Sequence, residues 1–549
     1  MKKTGIVIFL FVTIILFRGA AQTPSVKMWD HRYGGTKTEE VFSLEHTRDG
    51  GYMLAGISQS GADGDKTEPC WDPSNTLHDY WLLKTDSTGV REWDKRFGGF
   101  SYDFLYSCRQ TSDDGYILAG YSQSDSSGDK TEYSRGGMDF WILKTDVSGH
   151  KLWDKRYGGS GEDYLFTMEI AHDGGFLLGG YSASDSSGDR TQHTRGLGDY
   201  WIVKTDSLGN KQWDRRYGGS NDESLWSLWP TRDGGYLLGG VSGSPAGGDK
   251  TDALRDTCSA CYVADYWLVK IDSAGNKEWD KTYGGVREDY LYSVLQCTDG
   301  GFILGGMSLS GIGFEKSQST KGGADYWIIK TDSLGTIQWD ADFGGNGNED
   351  EVGNVTQTAD GGFLIPGSSY TATASGDKTE DNLGLEQTWL VKTDEDGTKM
   401  WDKTIFTTGH DETSLALEVG KCFIVANTCM GDVGGYKTEL NWDVSQSTWD
   451  YWVVKFCDSS VVAFVNESPD LNSLSSVYPN PFSNQLNAHF KTNTTVTITL
   501  CDYTGKEILR AKTNSTEAVL NTGGIAAGLY FLRVENGSEV RNYKVVKSQ

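Results

Sequence analysis

One stretch of text governs this sequence. From Asp199 to Gly219 it reads DYWIVKTDSLGNKQWDRRYGG, then passes through a variable acidic segment into TRDGGYLLGGVS. The same text returns around the chain with small edits. Its Trp-Asp pair falls at Trp29, Trp93, Trp153, Trp213, Trp279, Trp339 and Trp401, in steps of 64, 60, 60, 66, 60 and 62 residues. The aromatic-Trp pair falls at Trp81, Trp141, Trp201, Trp267, Trp327, Trp389 and Trp452, with Thr388 replacing the aromatic in the sixth unit. A fixed period of this size is the mark of a solenoid or a propeller and outranks other local signals.

Each unit holds four short runs of strand composition. Across the third and fourth units they are Tyr164–Ile170, Phe176–Ser182, Tyr200–Thr205 and Gln212–Tyr217, rich in Tyr, Trp, Leu, Ile and Val and bounded by Gly, Asp and Ser. None has the apolar spacing of a helix. Asp173-Gly174-Gly175 and Asp206-Ser207-Leu208-Gly209-Asn210 read as hairpin turns in which glycine supplies a positive φ. Four antiparallel strands per unit, seven times over, predict an all-β chain: a seven-bladed β-propeller spanning residues 22–457. The third run is apolar on both faces, as a strand between neighbouring blades should be. Small pairs such as Gly179-Gly180, Gly239-Gly240 and Ala119-Gly120 in the second run would let blades approach closely. The fourth run alternates Trp213 and Tyr217 with Asp214 and Arg216, which suits a charged outer edge. The chain enters on a fourth run, Lys27–Tyr33, and leaves the repeat on a third, Tyr451–Cys457. The first strand is therefore expected to complete the last blade and close the ring.

Net charge is −26, which argues against nucleic acid or an anionic membrane as partner. Lys2-Lys3, an apolar run from Ile6 to Phe17 and Gly19-Ala20-Ala21 read as a secretory signal over residues 1–21. Gln22 rather than Cys directly follows that site, which argues against a lipoprotein anchor, and no later segment is apolar enough for a spanning helix. The nine cysteines do not follow the repeat. Cys258 and Cys261, in the long loop of the fourth blade, are expected to form a local disulfide. Cys422 opens a second run and Cys457 ends a third, so antiparallel pairing would bring them together as a second bridge.

Beyond Asp458 the repeat stops and a polar linker is expected to reach residue 476. There follow Tyr478-Pro479-Asn480-Pro481-Phe482, strand-like Val496–Leu500 and Glu507–Ala511, the run GLYFLRV from Gly528 to Val534, and Tyr543–Lys547. Alone, this reads as a small β-sandwich. The YPNP opening, the DYTGKE turn (Asp502–Glu507), GLYFLRV and the Lys-rich end resemble the type A C-terminal sorting domain of the type IX secretion system, over residues 477–549. The resemblance implies export across the inner membrane on an N-terminal signal, then passage of the outer membrane directed by this domain. It implies a protein secreted by, or held on the cell surface of, a Gram-negative bacterium, with the secretion machinery as partner. It also implies removal of the domain, which would fall in the 458–476 linker. The DGGYILAG and DYWLVKTDSLGN text is similar to widespread bacterial repeats; that likeness carries a fold and no activity.

The turn Asp206-x-x-Gly209-x-x-x-Trp213 resembles the Asp-box hairpin of sialidases and the Trp-docking motif of quinoproteins, both structural devices. Asp79, Asp139, Asp199, Asp265, Asp325 and Asp450 precede the aromatic-Trp pair in six of seven units. Recurrence makes them strand-start hydrogen-bond acceptors, since a catalytic acid would belong to one blade. The GDKT loops place Asp125, Asp129, Asp185 and Asp189 as candidate Ca²⁺ ligands, against the plainer reading of solvated, self-bonded loops. The histidines show no metal spacing, and no HExxH or GxSxG occurs. Among aromatics that break the pattern, Trp226, Trp229, Trp71 and Trp442, the last two fall in long loops and are candidate platforms for a sugar or a protein partner. The resulting expectation is a non-catalytic binding or adhesion module that uses the long loops on one face, with no cofactor. The alternative is a glycan-active hydrolase or lyase with its site in the central depression; a purely structural surface-layer protein is a third reading.

Overall fold

The computed structural model describes residues 26–74, 76–255, 264–350, 352–443, 445, 447–458, 474–478, 482, 484–490, 495–502, 506–526, 528–536 and 539–547. The expected signal (1–21), Cys258 and Cys261, and most of the expected linker lie outside the described residues. The chain divides into two compact units, Met1–Phe456 and Cys457–Gln549.

In the larger unit the described residues form seven antiparallel sheets. Blade 1 runs from the inner strand Glu39–His46 through Tyr52–Ser58 and Asp79–Thr85 to the outer strand Arg91–Phe97. Blades 2 to 5 repeat this order from inner strands Asp103–Gln110, Asp163–Ile170, Glu223–Pro230 and Asp289–Gln296. Blade 6 has its inner strand broken into Glu349–Asp350 and Thr356–Gln357. Blade 7 is built from Asp411–Val419, Cys422–Cys429 and Asp450–Cys457, and its outer strand is Val26–Tyr33 from the opposite end of the chain. The ring is a seven-bladed β-propeller closed by its first strand.

The repeated text explains the repeated geometry. The third strand is buried at every position in blades 1 to 6. Its Trp donates an indole N–H to the Asp of the Trp-Asp pair on the outer strand: Trp201 Nε1 to Asp214 Oδ2 at 3.2 Å, Trp267 to Asp280 at 3.1 Å, Trp389 to Asp402 at 3.0 Å. The closure uses the same bond across the chain ends, Trp452 to Asp30 at 3.1 Å. The preceding aromatic packs on the Trp of the next blade, with Tyr200–Trp267 centroids 4.8 Å apart and the hydroxyl donating to the Trp267 carbonyl at 3.0 Å. Tyr451 and Trp81 join blade 7 to blade 1 at 4.8 Å. Buried rings in such tilted contacts add to the apolar packing of Leu, Ile and Val between blades.

The outer turn behaves as its Asp requires. Asp206 Oδ1 accepts the amides of Leu208 (2.9 Å) and Asn210 (2.8 Å), and Gly209 sits at φ 76°. Cys422 and Cys457 are both disulfide-bonded. Cys70, Cys108, Cys297 and Cys429 are free and buried.

The smaller unit has a sheet of Leu474–Tyr478, Gln485–Phe490 and Glu517–Asn521, and a second of Glu507–Thr513, Val496–Cys501, Gly528–Asn536 and Glu539–Lys547. Phe482, Leu486 and Leu520 share one core with Ile498, Leu500, Leu532 and Val545, so the two sheets form a sandwich. Among the described residues no helix is long and apolar enough to cross a membrane.

Candidate functional site: the axial channel

The inner strands carry the feature that shapes the centre of the ring. In blade 3 the pairing runs Leu165↔Gly180 and resumes at Thr167↔Gly179, leaving Phe166 as an extra residue. The same slip occurs at Val41/Ser43, Leu105/Ser107, Leu225/Ser227 and Leu291/Ser293. A bulge of this kind re-aims one side chain. Here it turns Phe42, Tyr106, Phe166, Trp226 and Tyr292 into the channel, one ring per blade. The rings touch in sequence. Phe42 stacks on Tyr106 at 4.7 Å, Tyr106 meets Phe166 edge-on at 5.3 Å, Phe166 stacks on Trp226 at 4.4 Å, and Trp226 meets Tyr292 edge-on at 6.0 Å.

The arc stops at blade 6. Pro366 stands in its second strand and cannot donate to the ladder, and the inner strand is broken opposite it. Val352, Gly353, Asn354 and Leu415 complete the wall without a ring. The result is a channel of about 290 Å³ at this level, aromatic on five blades and without a ring on two.

Towards the hairpin side the channel widens to a cavity of about 580 Å³. Its charged groups are already partnered. Arg109 Nε donates to Glu169 Oε1 at 3.1 Å, Glu45 accepts the Gln110 amide at 2.7 Å, and Glu418 accepts the Ala359 amide at 2.7 Å. Burial raises the Glu45 carboxyl, partly offset by Arg109. Burial also works against the Arg109 charge, but Glu169 and Glu45 outweigh it and hold the guanidinium protonated. Trp229 is half-buried at this mouth and packs into the blade core. The surface offers ring faces and edges along the bore, with a hydrogen-bonding rim.

The residues singled out in the long loops sit elsewhere. Trp71 is half-buried: its indole donates to Asp129 at 2.9 Å, and the Arg96 guanidinium lies 4.5 Å over its ring. Trp442, 41% exposed, repeats the arrangement with Asp65 (2.9 Å) and Arg32 (4.5 Å). Both rings are loop staples, with one face covered by a guanidinium. The Ca²⁺ candidates are tied up in the same way. Asp129 accepts Arg96 Nη1 at 2.7 Å and the Gly98 amide at 3.2 Å; Asp189 accepts Arg156 Nη1 at 3.0 Å and the Gly158 amide at 3.2 Å. Asp125 accepts the Ser134 amide at 3.2 Å, and Asp185 the Ser186 amide at 2.9 Å. The basic residue of GDKT folds inward: Lys130 is 2% exposed and donates to the Ser124 carbonyl at 2.6 Å. Asp125 and Asp185 thus bond within their own loops, while Asp129 and Asp189 pin theirs to the outer strand of the preceding blade. Of the channel aromatics only Trp226 stood out in the sequence as a pattern-breaker. The other four are read from the bulge, which changes register and leaves composition untouched.

The two units define a class: a propeller joined to a secretion-targeting sandwich. Residues 476–548 match the family described as secretion system C-terminal sorting domain. The tail is thus a type IX secretion sorting domain, recognised by that machinery, and it directs the chain to secretion or the cell surface of a Gram-negative bacterium. In sequence, 222 residues are 25% identical to the regulatory protein FlaEY of Caulobacter vibrioides, covering 37% of this chain and 22% of that protein. In structure, the chain is similar to PorZ, a surface component of the type IX secretion system of Porphyromonas gingivalis (9% identity, TM-score 0.36, 94% of this chain and 60% of that one). It is also similar to Sqt1 of Chaetomium thermophilum (11% identity, TM-score 0.37, 84% and 96%). The chain therefore spans only part of FlaEY and of PorZ.

Proposed function

We propose that this protein is a non-catalytic binding or adhesion module at the bacterial surface, taking the end of a glycan chain into its aromatic-lined channel. Export begins with the signal at residues 1–21 and passes the outer membrane on the sorting domain. The carrying observation is the arc of five bulge-borne rings. Such rings give the apolar face of a sugar a surface to bury, at about 25 cal/mol per Å² removed from water. The carboxylates lining the wider cavity serve as counter-ions or backbone acceptors, which supports binding over acid–base chemistry.

Binding of the purified secreted protein to a glycan array tests this, with Trp226→Ala and Phe166→Ala alongside. The expected result is specific glycan binding that weakens about tenfold in either variant, as about 1.4 kcal/mol per tenfold implies. Unchanged binding in both variants would move the site off the channel. Turnover of a bound glycan would replace the module by a hydrolase or lyase.

A further inference from the structure

Where blade 6 meets blade 7 the repeat changes its chemistry. The Asp that heads the third strand elsewhere is Gln387, and the residue before it is Glu386. The inner strand of blade 7 is headed by His410, Asp411 and Glu412. The equivalent triple holds His78, Tyr102 and Phe104 between blades 1 and 2, and Trp449, Thr38 and Glu40 at the ring closure. Three metal-type side chains thus come together at one junction, the non-repeating pattern expected of a site.

Their geometry converges on one atom. Nε2 of His410 contacts Glu386 Oε2, lies 3.0 Å from Glu412 Oε1 and 3.5 Å from the Tyr370 hydroxyl. A single ring nitrogen carries at most one proton, so it cannot satisfy two carboxylates at once. A donor atom of each of Glu386, His410 and Glu412 lies within 4.8 Å of the others. Ligands held 2.0–2.2 Å from a metal sit about 3–3.5 Å from each other, so a small contraction suffices.

A second observation is independent of the convergence. The Glu386 side chain is 1% exposed, and its Oε1 is buried with no hydrogen-bond partner among the described groups. A buried carboxylate oxygen without a partner is costly unless it takes up a proton or a cation sits beside it, and here an imidazole and a second carboxylate converge on the same group. Two carboxylates gathered on one imidazole also leave an excess of negative charge in the cluster.

We propose that Glu386, His410 and Glu412 form a binding site for one divalent transition-metal ion, of which Zn²⁺ is the best match. An imidazole among the ligands favours such an ion over Ca²⁺, which takes six to eight oxygens. Three protein ligands leave at least one coordination position open to water or to a ligand's oxygen.

The test is calorimetric titration of the full secreted chain with Zn²⁺, with Mn²⁺ and Ca²⁺ as comparators. Melting curves run in parallel. Zn²⁺ should bind once per chain, raise the melting temperature, and bind more tightly than Ca²⁺. His410→Ala and Glu386→Gln should weaken it at least tenfold. Glu412 is a third exposed, so Glu412→Gln keeps the fold and should also weaken binding about tenfold. Zn²⁺ binding undiminished in Glu412→Gln and His410→Ala, absence of Zn²⁺ binding to the unaltered chain, or tighter Ca²⁺ binding would each overturn the assignment.

Discussion

Gly179 and Gly180 sit side by side in one strand and meet different neighbours. A Cβ on Gly179 would fall 2.6 Å from a Leu225 methyl and 2.9 Å from Leu228, both in the next blade. That is the close approach expected of the small pair. A Cβ on Gly180 would lie 1.9 Å from the Tyr164 carbonyl oxygen of its own sheet, where the inner strand bulges. Backbone cannot yield as a methyl group can. Gly180→Ala should therefore destabilise by several kcal/mol, or else remove the bulge and turn Phe166 away from the bore. Gly234→Ala is the control: its Cβ would meet nothing within 4 Å, so it bears only the strain of a left-handed backbone, about 1–2 kcal/mol. Denaturant titration of the two variants decides the matter; equal losses would mean that the bulge does not need its glycine. The Gly-Gly text was visible in the sequence, but only half of its meaning was. Blade approach follows from residue size, whereas the second role needs the register slip, and with it four of the five channel rings.

At the scale of strands, the propeller was legible because its signals are local and repeated. The second run, Phe176–Ser182, stands as read, and the others begin one residue earlier, at Asp163, Asp199 and Lys211. The closure followed from the phase of the repeat. The break in blade 6 was not anticipated, because Pro366 acts on the neighbouring strand rather than its own. In the tail, Gln485–Phe490 and Glu517–Asn521 escaped notice between polar segments. The closure has an energetic signature that sets it apart from the other blades. Asp214 and Asp30 bind the same groups: an indole N–H, a loop Thr amide at 2.9 and 2.8 Å, and a lysine three residues away. Replacing either with Ala orphans buried donors at about 1–3 kcal/mol each, so both variants should lose comparable melting stability. Only Asp30→Ala loosens a strand tethered at one end. It should therefore show early proteolysis between residues 26 and 33 under native conditions, while Asp214→Ala resists. Identical digestion patterns would count against the first strand as the weak seam.

Taken as a whole, the ring repeats one electrostatic motif at six of its seven junctions. The Asp heading each third strand faces the carboxylate heading the next blade's inner strand, as Asp79 faces Asp103 and Asp450 faces Glu39. These groups are at most 1% exposed, and Oδ1 of Asp79, Asp103 and Asp450 has no hydrogen-bond partner among the described groups. Burial, reinforced by the facing carboxylate, raises Asp79 to about 7 and Asp450 to about 8; burial raises Glu39 to about 7. Acids whose folded pKa lies above the unfolded value of about 4 bind protons more readily in the folded chain. The stability they contribute is complete below pH 4 and is lost as pH rises through 7 to 8. Asp49 and Asp233 run the other way: hydrogen bonds from Lys84 and Thr47 to the first, and from Thr231 and Lys270 to the second, outweigh partial burial and lower both to about 2. Their contribution is present above pH 4 and disappears below it. The melting temperature should thus peak in mildly acidic solution and fall between pH 6 and 9, with a net charge of −26 adding repulsion in the same direction. The molecule already holds the neutral version of this junction. In blade 6 the Asp is Gln387, whose Nε2 donates to Asp411 Oδ2 at 3.0 Å. Asp79→Asn should reproduce that pairing with Asp103, flatten the alkaline fall, and leave the variant more stable than the parent at pH 9. A parent whose melting temperature climbs from pH 6 to 9, or an Asp79→Asn variant with an unchanged pH profile, would show that these carboxylates stay ionised and that something else compensates their burial.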